Sequence, residues 1–387
     1  MTPERADAYS AVAAAYVHIP FCSSVCPYCD FAVVAGRDDL VERYAKALLA
    51  EIELSGEWRA LGAVYFGGGT PSHIDSNLLA SVLNRIEDTH GLEPGAEVSL
   101  EANPEDFTTE RAEQLVAAGF NRVSFGAQSF DDGVLVALGR RHVRDAITES
   151  VHNAVAAGFE RISVDLIYGT PGESDRSWKE TVSSALALET GHLSCYALTV
   201  ERGTALGHAV DAGAPEPDPD IQADRYEAAD RMIESAGLQR YEVSNWARDG
   251  EECRYNMVVW AQGEYEAYGN GAHGFRNGRR FRNHRRVDAY IERVEEGVMP
   301  RAGTDQVTGW ESELDRVFVG LRRSVGVGTG DGTDALLASA EGKSLVDAGV
   351  IVNHGDRVVV TRPLLTDAVH RSVLALTDPI VRFDGHA

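Results

Sequence analysis

The stretch YVHIPFCSSVCPYCDF, residues 16–31, decides how the chain is organised, because it carries Cys22, Cys26 and Cys29, three of the five cysteines. Thiolates bind soft metals and iron–sulfur clusters, and three of them in one loop can hold three irons of a cubane cluster. The fourth iron then stays open for a ligand from outside the protein. A zinc site and a disulfide are the alternatives, although structural zinc takes four ligands and a disulfide would leave one thiol unpaired.

Composition limits the possible partners. The chain has 387 residues, a hydrophobic content of 44% and a net charge of −24, which suits a globular protein and argues against nucleic-acid or anionic-membrane partners. It has no apolar run of about eighteen residues, so we do not expect an integral membrane protein. The N-terminus lacks the basic start and apolar core of a signal peptide, which predicts a reducing, cytoplasmic environment for the cysteines.

The pattern around the cysteines predicts alternating strands and helices. Residues 14–19 alternate and are β-rich, so they predict a first strand that delivers the cysteine loop at its carboxyl end. We expect the next elements to be a helix capped by Asp38 or Asp39, a strand at 63–66, a helix capped by Ser76 and stopped at Gly91, and a strand at 98–101.

A unit then repeats along the chain. LVAAGFNRVSFGAQ (115–128) resembles AVAAGFERISVDLI (154–167), and MIESAGLQRYEVSN (232–245) is a weaker copy. Each copy contains a helix end, a glycine and a strand, which predicts βα units with a parallel sheet of about six strands by Val200. A partial or full barrel is favoured over a flat sheet.

The second half of the chain predicts a change of architecture. Residues 214–220 are a proline-rich linker ahead of a helix at 221–235, and the basic stretch 276–286 predicts a surface loop. The last part predicts a winged-helix-like domain of helices at 311–323, 336–348 and 366–376 with a hairpin of strands 350–352 and 357–361. The predicted divisions are a core barrel at 1–245, a connecting region at 246–305 and a C-terminal domain at 306–387.

Five features fall at the ends of predicted strands, where ligands gather in a parallel barrel. They are the cysteine loop, Gly67–Pro71, Glu101, Gln128 and Asp165. The glycine run allows close backbone approach to a ligand or makes a plain turn. The two acids bind a ligand, cap a helix or form a salt bridge, because a carboxylate at the end of an apolar strand needs a partner.

Seven motifs together resemble one known family. CxxxCxxC with Tyr28 before its last cysteine is the radical SAM signature, where SAM is S-adenosylmethionine. With YFGGGTP, SLEANPE, FGAQSF, LGRRH, VDLIYGTPGE and GNGAHG, it resembles the oxygen-independent coproporphyrinogen III oxidase family. The resemblance implies an α/β fold, a partial (β/α)6 TIM-type radical SAM barrel with a smaller C-terminal winged-helix-like domain.

The same resemblance implies roles for individual residues. Cys22, Cys26 and Cys29 would bind a 4Fe-4S cluster, and Tyr16, Gly68 and Glu101 would hold SAM on it. A second site for SAM or a tetrapyrrole would be lined by Tyr28, Gly69, Thr70, Gln128, Arg140 and Asp165.

Two branches of this family differ at Phe31. The decarboxylating oxidase typically has a fourth cysteine there and a longer N-terminal extension, whereas only fifteen residues precede Tyr16 here. The pattern resembles the heme-chaperone branch, which implies a protein that binds heme and passes it to an acceptor protein of unknown identity. The alternative is a coproporphyrinogen oxidase, or another radical SAM enzyme of porphyrin biosynthesis, so the sequence alone leaves enzymatic activity open.

The motif expected to carry the heme ligand is altered in this chain. The chaperone branch usually carries His-Asn-x-x-Tyr-Trp, but this chain has Tyr255 in place of the histidine and Val259 in place of the tyrosine. Tyr255 and His273 are candidate ligands, since both residue types bind heme iron, and a buried structural role is the alternative for each. Cys195 is interpreted as a core thiol, and Cys253 fits either a core or a site role.

Overall fold

The computed structural model of the chain describes residues 1–377. Its strands, in chain order, are β1 (Ala14–Ile19), β2 (Phe21–Cys22), β3 (Val34–Ala35), β4 (Leu61–Gly68), β5 (Leu92–Ala102), β6 (Arg122–Gln128), β7 (Arg161–Tyr168), β8 (His192–Ala197), β9 (Gln239–Glu242), β10 (Asn245–Ala247), β11 (Tyr265–Tyr268), β12 (His273–Arg276), β13 (Arg279–Asn283), β14 (Arg301–Gln306), β15 (Val327–Gly328), β16 (Ile351–Asn353) and β17 (Arg357–Val360).

The α-helices are α1 (Pro3–Ala8), α2 (Val41–Ser55), α3 (Ser76–His90), α4 (Thr109–Ala117), α5 (Asp132–Ala137), α6 (Arg144–Ala157), α7 (Asp175–Leu186), α8 (Ala205–Asp211), α9 (Pro219–Ser235), α10 (Arg254–Trp260), α11 (Val287–Glu295), α12 (Gly309–Gly320), α13 (Asp331–Ala338), α14 (Ala340–Asp347) and α15 (Thr366–Leu374). None of the helices in the described part of the chain has the length and apolar composition needed to cross a membrane.

Twelve strands form one open sheet in the order β14-β13-β12-β11-β1-β4-β5-β6-β7-β8-β10-β9. Strands β1 and β4 to β8 are six parallel strands, as the repeat predicts, and at least one helix lies between each consecutive pair. Strand β11 adds a seventh parallel strand on the other side of β1. Their near-continuous buried pattern is typical of a sheet that helices cover. Because β14 and β9 lie at opposite ends of the strand order and do not pair, the barrel is partial.

One large hydrophobic cluster fixes the helices on the sheet. It joins side chains of the six parallel strands to the inner faces of the covering helices, including Leu48 of α2, Leu83 of α3 and Trp178 of α7. Burial of a side chain of this size stabilises the fold by roughly 2–3 kcal/mol. The rigid sheet therefore holds the carboxyl ends of β4 to β8, and the residues on them, at one edge.

Several local predictions are wrong in detail. Helix α2 begins at Val41 after a short 3-10 turn at Asp38–Leu40, so no aspartate side chain caps it. Asp75 rather than Ser76 caps α3, because its carboxylate accepts a hydrogen bond from the backbone N–H of Asn77 at 2.7 Å.

The basic stretch 276–286 is not a surface loop throughout, because it contains the last residue of β12 and the whole of β13, which pairs antiparallel with β12. The buried ring of Phe281 anchors β13, while the arginines beside it point outward. Residues 246–305 accordingly contribute β11 to β14 to the main sheet. The third repeat also differs, since its strand β9 pairs antiparallel at the far edge.

The C-terminal part has its own hydrophobic cluster, which includes Val317, Val358 and Val369. The predicted hairpin of β16 and β17 is confirmed, and β15 adds a third strand. The predicted helix at 336–348 is wrong, because Ser339 adopts an extended conformation and its hydroxyl caps the new helix α14. Residues 378–387 of the predicted domain lie outside the described residues.

Candidate cluster and ligand site

A cavity of about 470 Å³ opens at the carboxyl ends of the parallel strands. Each of β4 to β8 contributes to its wall, and the cysteine loop covers it. All the residues predicted for cofactor binding except Tyr16 line this cavity, namely Cys22, Cys26, Cys29, Tyr28, Gly68, Gly69, Thr70, Glu101, Gln128, Arg140 and Asp165. The topology thus brings together residues that are up to 143 positions apart in sequence, from Cys22 to Asp165.

The cysteine loop is closed at its base and supported by donors to its thiols. Strand β2 pairs with β3, which joins the two ends of the loop. The Thr70 hydroxyl donates to Cys22 Sγ at 3.5 Å, and Arg140 Nη1 donates to Cys26 Sγ at 3.3 Å. These donors suit thiolates, whose negative charge they would stabilise.

The donor set is compatible with an iron–sulfur cluster. The five cysteines are all free thiols, so the loop holds no disulfide. Within residues 1–377, no group of three or more His, Cys, Asp or Glu side chains converges on a single metal ion. In a cubane each thiolate binds a different iron, so the three sulfurs spread more widely than ligands of one ion.

Burial disfavours the free thiolate at this loop. It raises the pKa of Cys22 to about 11, against the opposing effect of the Thr70 hydroxyl. Burial likewise raises the pKa of Cys29. A coordinated thiol is deprotonated by its metal, so these thiols would gain their charge only when a cluster is bound.

The glycine run at the end of β4 packs closely against β1 at the wall of the cavity. Gly68 has φ +108°, and a side chain there would strike the ring of His18 on β1. A Cβ at Gly69 would lie 2.7 Å from the Ile19 carbonyl oxygen. The glycines at both positions are therefore required by packing between β1 and the end of β4, whatever ligand is bound.

Glu101 is held at the carboxyl end of β5. One carboxylate oxygen accepts from the Tyr65 hydroxyl at 2.9 Å, and the other accepts from the Gly68 backbone N–H at 3.1 Å. Burial raises the pKa of Glu101 to about 7, and these two donors oppose the shift. A fixed, cavity-facing carboxylate of this kind can accept hydrogen bonds from the N–H groups of a ligand.

Asp165 lies within a strand of the cavity wall, and Gln128 lies at a bend in that wall. The sequence predicts that Asp165 ends its strand. Strand β7 continues to Tyr168, however, so Asp165 lies within the strand. Its carboxylate accepts from the hydroxyls of Ser124 at 2.8 Å and Ser163 at 3.2 Å, while burial raises its pKa. Gln128 ends β6 with φ +64°, a conformation that turns the chain away from the strand.

Tyr16 faces a second cavity of about 360 Å³ beside the first. Its ring stacks with those of Tyr65 and Tyr255 at centroid separations of 6.3 and 5.9 Å. These three rings lie between the two cavities, whose linings share Asp30, Phe31 and Asn256. Successive side chains of a strand point to opposite faces of the sheet, so the position of Tyr16 along β1 decides which cavity its ring faces.

The second cavity combines aromatic walls with a basic rim. Its walls include Tyr255, Trp260 and Tyr265, and its rim includes His273 and Arg285, both exposed. His273 on β12 lies opposite Arg282 on β13. Partial burial of its ring lowers the pKa of His273, and the charges of Arg282 and Arg285 lower it further.

Asn103 is the residue at the site that sequence reasoning missed. It lies in the quoted motif SLEANPE, two positions after Glu101, and its side chain bonds to both Thr70 and Arg140. Its place directly after a strand that carries a site carboxylate was the available signal.

Known proteins that are similar to this chain agree on its class. The Radical SAM superfamily model matches residues 16–185. The heme chaperone HemW of Mycobacterium tuberculosis is 39% identical over 373 residues, which cover 93% of this chain and 94% of the relative. The chain belongs to the HemW family. HemW of Bacillus subtilis is 34% identical over 362 residues, which cover 90% of this chain and 94% of that protein.

Among solved structures, the coproporphyrinogen III oxidase HemN of Escherichia coli, a radical SAM enzyme, has a TM-score of 0.79 at 21% identity. The match covers 95% of this chain and 92% of that one. It confirms the predicted radical SAM barrel, and the HemW relatives confirm the predicted branch. Membership of the radical SAM superfamily implies a 4Fe-4S cluster and SAM as cofactors of a HemW family protein.

Proposed function

We propose that this protein is a heme chaperone that binds heme together with a 4Fe-4S cluster and SAM, and passes the heme to an acceptor protein. The observation that carries the proposal is the similarity to HemW proteins along nearly the whole chain. The two adjoining cavities support it, because they offer separate space for a cluster with SAM and for a tetrapyrrole.

Cys22, Cys26 and Cys29 hold the cluster in this proposal. A bound cluster would offer one open iron to the amine and carboxylate of SAM. Glu101 receives a polar group of SAM, since Tyr65 and Gly68 fix its carboxylate toward the cavity. Thr70, Gln128 and Arg140 line the remainder of that cavity, and the assignment of Tyr16 to SAM stays a prediction.

Heme occupies the second cavity. The porphyrin of heme is planar and apolar and carries two anionic propionates. A heme site therefore needs aromatic walls and cationic groups at its rim. Tyr265 and Trp260 offer the walls, and Arg285 offers a cation in a chain whose net charge is −24. A guanidinium is well suited to carboxylate recognition because it donates two parallel hydrogen bonds.

His273 is the proposed iron ligand, in preference to Tyr255. The Tyr255 ring is stacked against both Tyr16 and Tyr65 and meets Tyr265 edge-on. Turning it toward a heme would break that stack, and burial raises the pKa of its hydroxyl well above the usual value. The His273 imidazole lies exposed at the rim and makes no such stack with the rings of residues 1–377.

Phe31 favours heme retention over decarboxylation. It is 63% exposed and lines both cavities, where the family resemblance places a cysteine in the oxidases. Phenylalanine cannot bind iron or donate a hydrogen bond, so the lining that the two cavities share offers an apolar contact for a porphyrin edge.

The Glu101→Gln variant should bind SAM about tenfold more weakly, a loss of ~1.4 kcal/mol, while its iron content stays at the wild-type level. The substitution keeps the shape of the side chain but removes the negative charge that would meet the SAM amine. Anaerobic equilibrium dialysis with labelled SAM measures the difference. Glu105→Gln is the matched control, since Glu105 also lines the cavity but pairs with His142 at 3.1 Å. Equal SAM affinity in Glu101→Gln and the wild type would make Glu101 a structural acid.

Heme titration tests the function itself. Anaerobically reconstituted protein is titrated with hemin, and the Soret absorption is followed to saturation. We expect an equimolar end point in the presence of the intact cluster. A Soret absorption that keeps rising with excess hemin and reaches no end point would indicate nonspecific adsorption and would contradict the proposal.

A further inference from the structure

Three side chains connect two cluster cysteines through one continuous chain of hydrogen bonds. The amide nitrogen of Asn103 donates to the Thr70 hydroxyl oxygen at 3.2 Å, and that hydroxyl donates to Cys22 Sγ at 3.5 Å. On the other side, the amide oxygen of Asn103 accepts from Arg140 Nη2 at 2.6 Å, while Arg140 Nη1 donates to Cys26 Sγ at 3.3 Å. Asn103 thus lies at the centre of the chain.

The hydrogen-bond geometry determines which group donates and which accepts at each step of this chain. The hydroxyl of Thr70 has one hydrogen, and accepting from Asn103 leaves that hydrogen free to point at Cys22. The guanidinium of Arg140 is planar and rigid, so fixing Nη2 also aims Nη1. An asparagine side chain offers one donor and one acceptor group at its tip, which this arrangement requires together.

Asn103 is itself held in place. Its backbone N–H donates to the Ser72 hydroxyl at 3.2 Å, and Thr70 is only 4% exposed. Arg140 Nη2 makes a further hydrogen bond to the Gly126 carbonyl at 3.1 Å. The hydrogen bonds of the Asn103 side chain within residues 1–377 go to Thr70 and Arg140 and not to a cysteine sulfur.

We propose that Asn103 is a positioning residue that aims the Thr70 hydroxyl and the Arg140 guanidinium at Cys22 and Cys26, and so raises the reduction potential of the cluster. Hydrogen bonds and positive charge at the thiolate sulfurs stabilise the more negative, reduced cluster. The inference rests on the cluster of the proposed function and is independent of heme.

The test is an EPR-monitored redox titration of anaerobically reconstituted protein without SAM or heme. Asn103→Ala and Thr70→Val should each shift the midpoint potential to more negative values, at unchanged iron content. The double variant should shift it by less than the sum of the two, because Asn103 acts partly through Thr70. Ser124→Ala is the matched control, since this hydroxyl lines the same cavity but bonds to Asp165, and its potential should equal that of the wild type.

Two results would overturn the inference. One is an unchanged midpoint potential in Asn103→Ala with a full cluster, and the other is strict additivity in the double variant. If Asn103→Ala does not assemble the cluster, Thr70→Val decides alone, and an unchanged potential there refutes the role of the hydrogen bonds. Absence of iron from the wild type itself would instead refute the proposed cluster.

Discussion

Replacing Cys26 with alanine is expected to abolish the iron–sulfur cluster. The wild type should carry about four irons per chain after anaerobic reconstitution, as a cubane cluster requires. The variant loses one of three thiolates and also leaves the Arg140 guanidinium without its sulfur partner. Iron analysis and the thiolate-to-iron charge-transfer absorption measure the loss, which we expect to be nearly complete.

Cys195→Ala is the matched control for this prediction. Cys195 on β8 is 1% exposed, belongs to the hydrophobic core and does not line the cavity. Its replacement should reduce stability somewhat through the small cavity that it leaves, with full iron content. A full cluster in Cys26→Ala, or its loss in Cys195→Ala alone, would contradict the ligand assignment.

The second large effect is expected at His273. The variant His273→Ala should bind heme at least tenfold more weakly, a loss of about 1.4 kcal/mol or more, and should shift the Soret band because the axial ligand is lost. Its iron content and SAM binding should stay unchanged, since His273 lines only the second cavity. Hemin titration with absorption spectra measures both changes.

Two control variants test whether the effect at His273 comes from loss of the heme-iron ligand or from a general change at the rim of the cavity. His284→Ala removes a nearby histidine that does not line the cavity, and Tyr255→Phe keeps the aromatic stack while removing the hydroxyl. Both should bind heme as the wild type does. A Soret shift in Tyr255→Phe with none in His273→Ala would reverse the assignment and make the tyrosine the ligand.

The parallel half of the fold followed from local patterns. The predicted bounds of β1 agree with the structure, and the repeated helix–glycine–strand unit predicted the alternation of β6 and β7 with their helices. These elements are predictable because the strands are rich in β-forming residues and glycine ends the preceding helix. The gathering of the cysteine loop and Glu101 at one edge follows from the same topology.

The remaining features depend on side-chain directions and tertiary contacts. The strands at 273–283 were missed because their exposed arginines hide the buried Phe281 that anchors them. The position of Tyr16 depends on which face of β1 meets the second cavity. The Asn103 bonds join residues 33 and 37 positions away along the chain, and nothing in local spacing indicates such contacts.

The central claim is that this protein carries heme and does not convert porphyrinogens. Its most direct test is chromatography of the tetrapyrroles after anaerobic incubation of the reconstituted protein with coproporphyrinogen III, reductant and excess SAM. Because Phe31 removes the polar group expected beside an oxidase substrate, the account predicts that coproporphyrinogen III is recovered unchanged from protein that retains its capacity for heme. Formation of protoporphyrinogen in more than trace amounts would contradict the account and make the protein an oxidase.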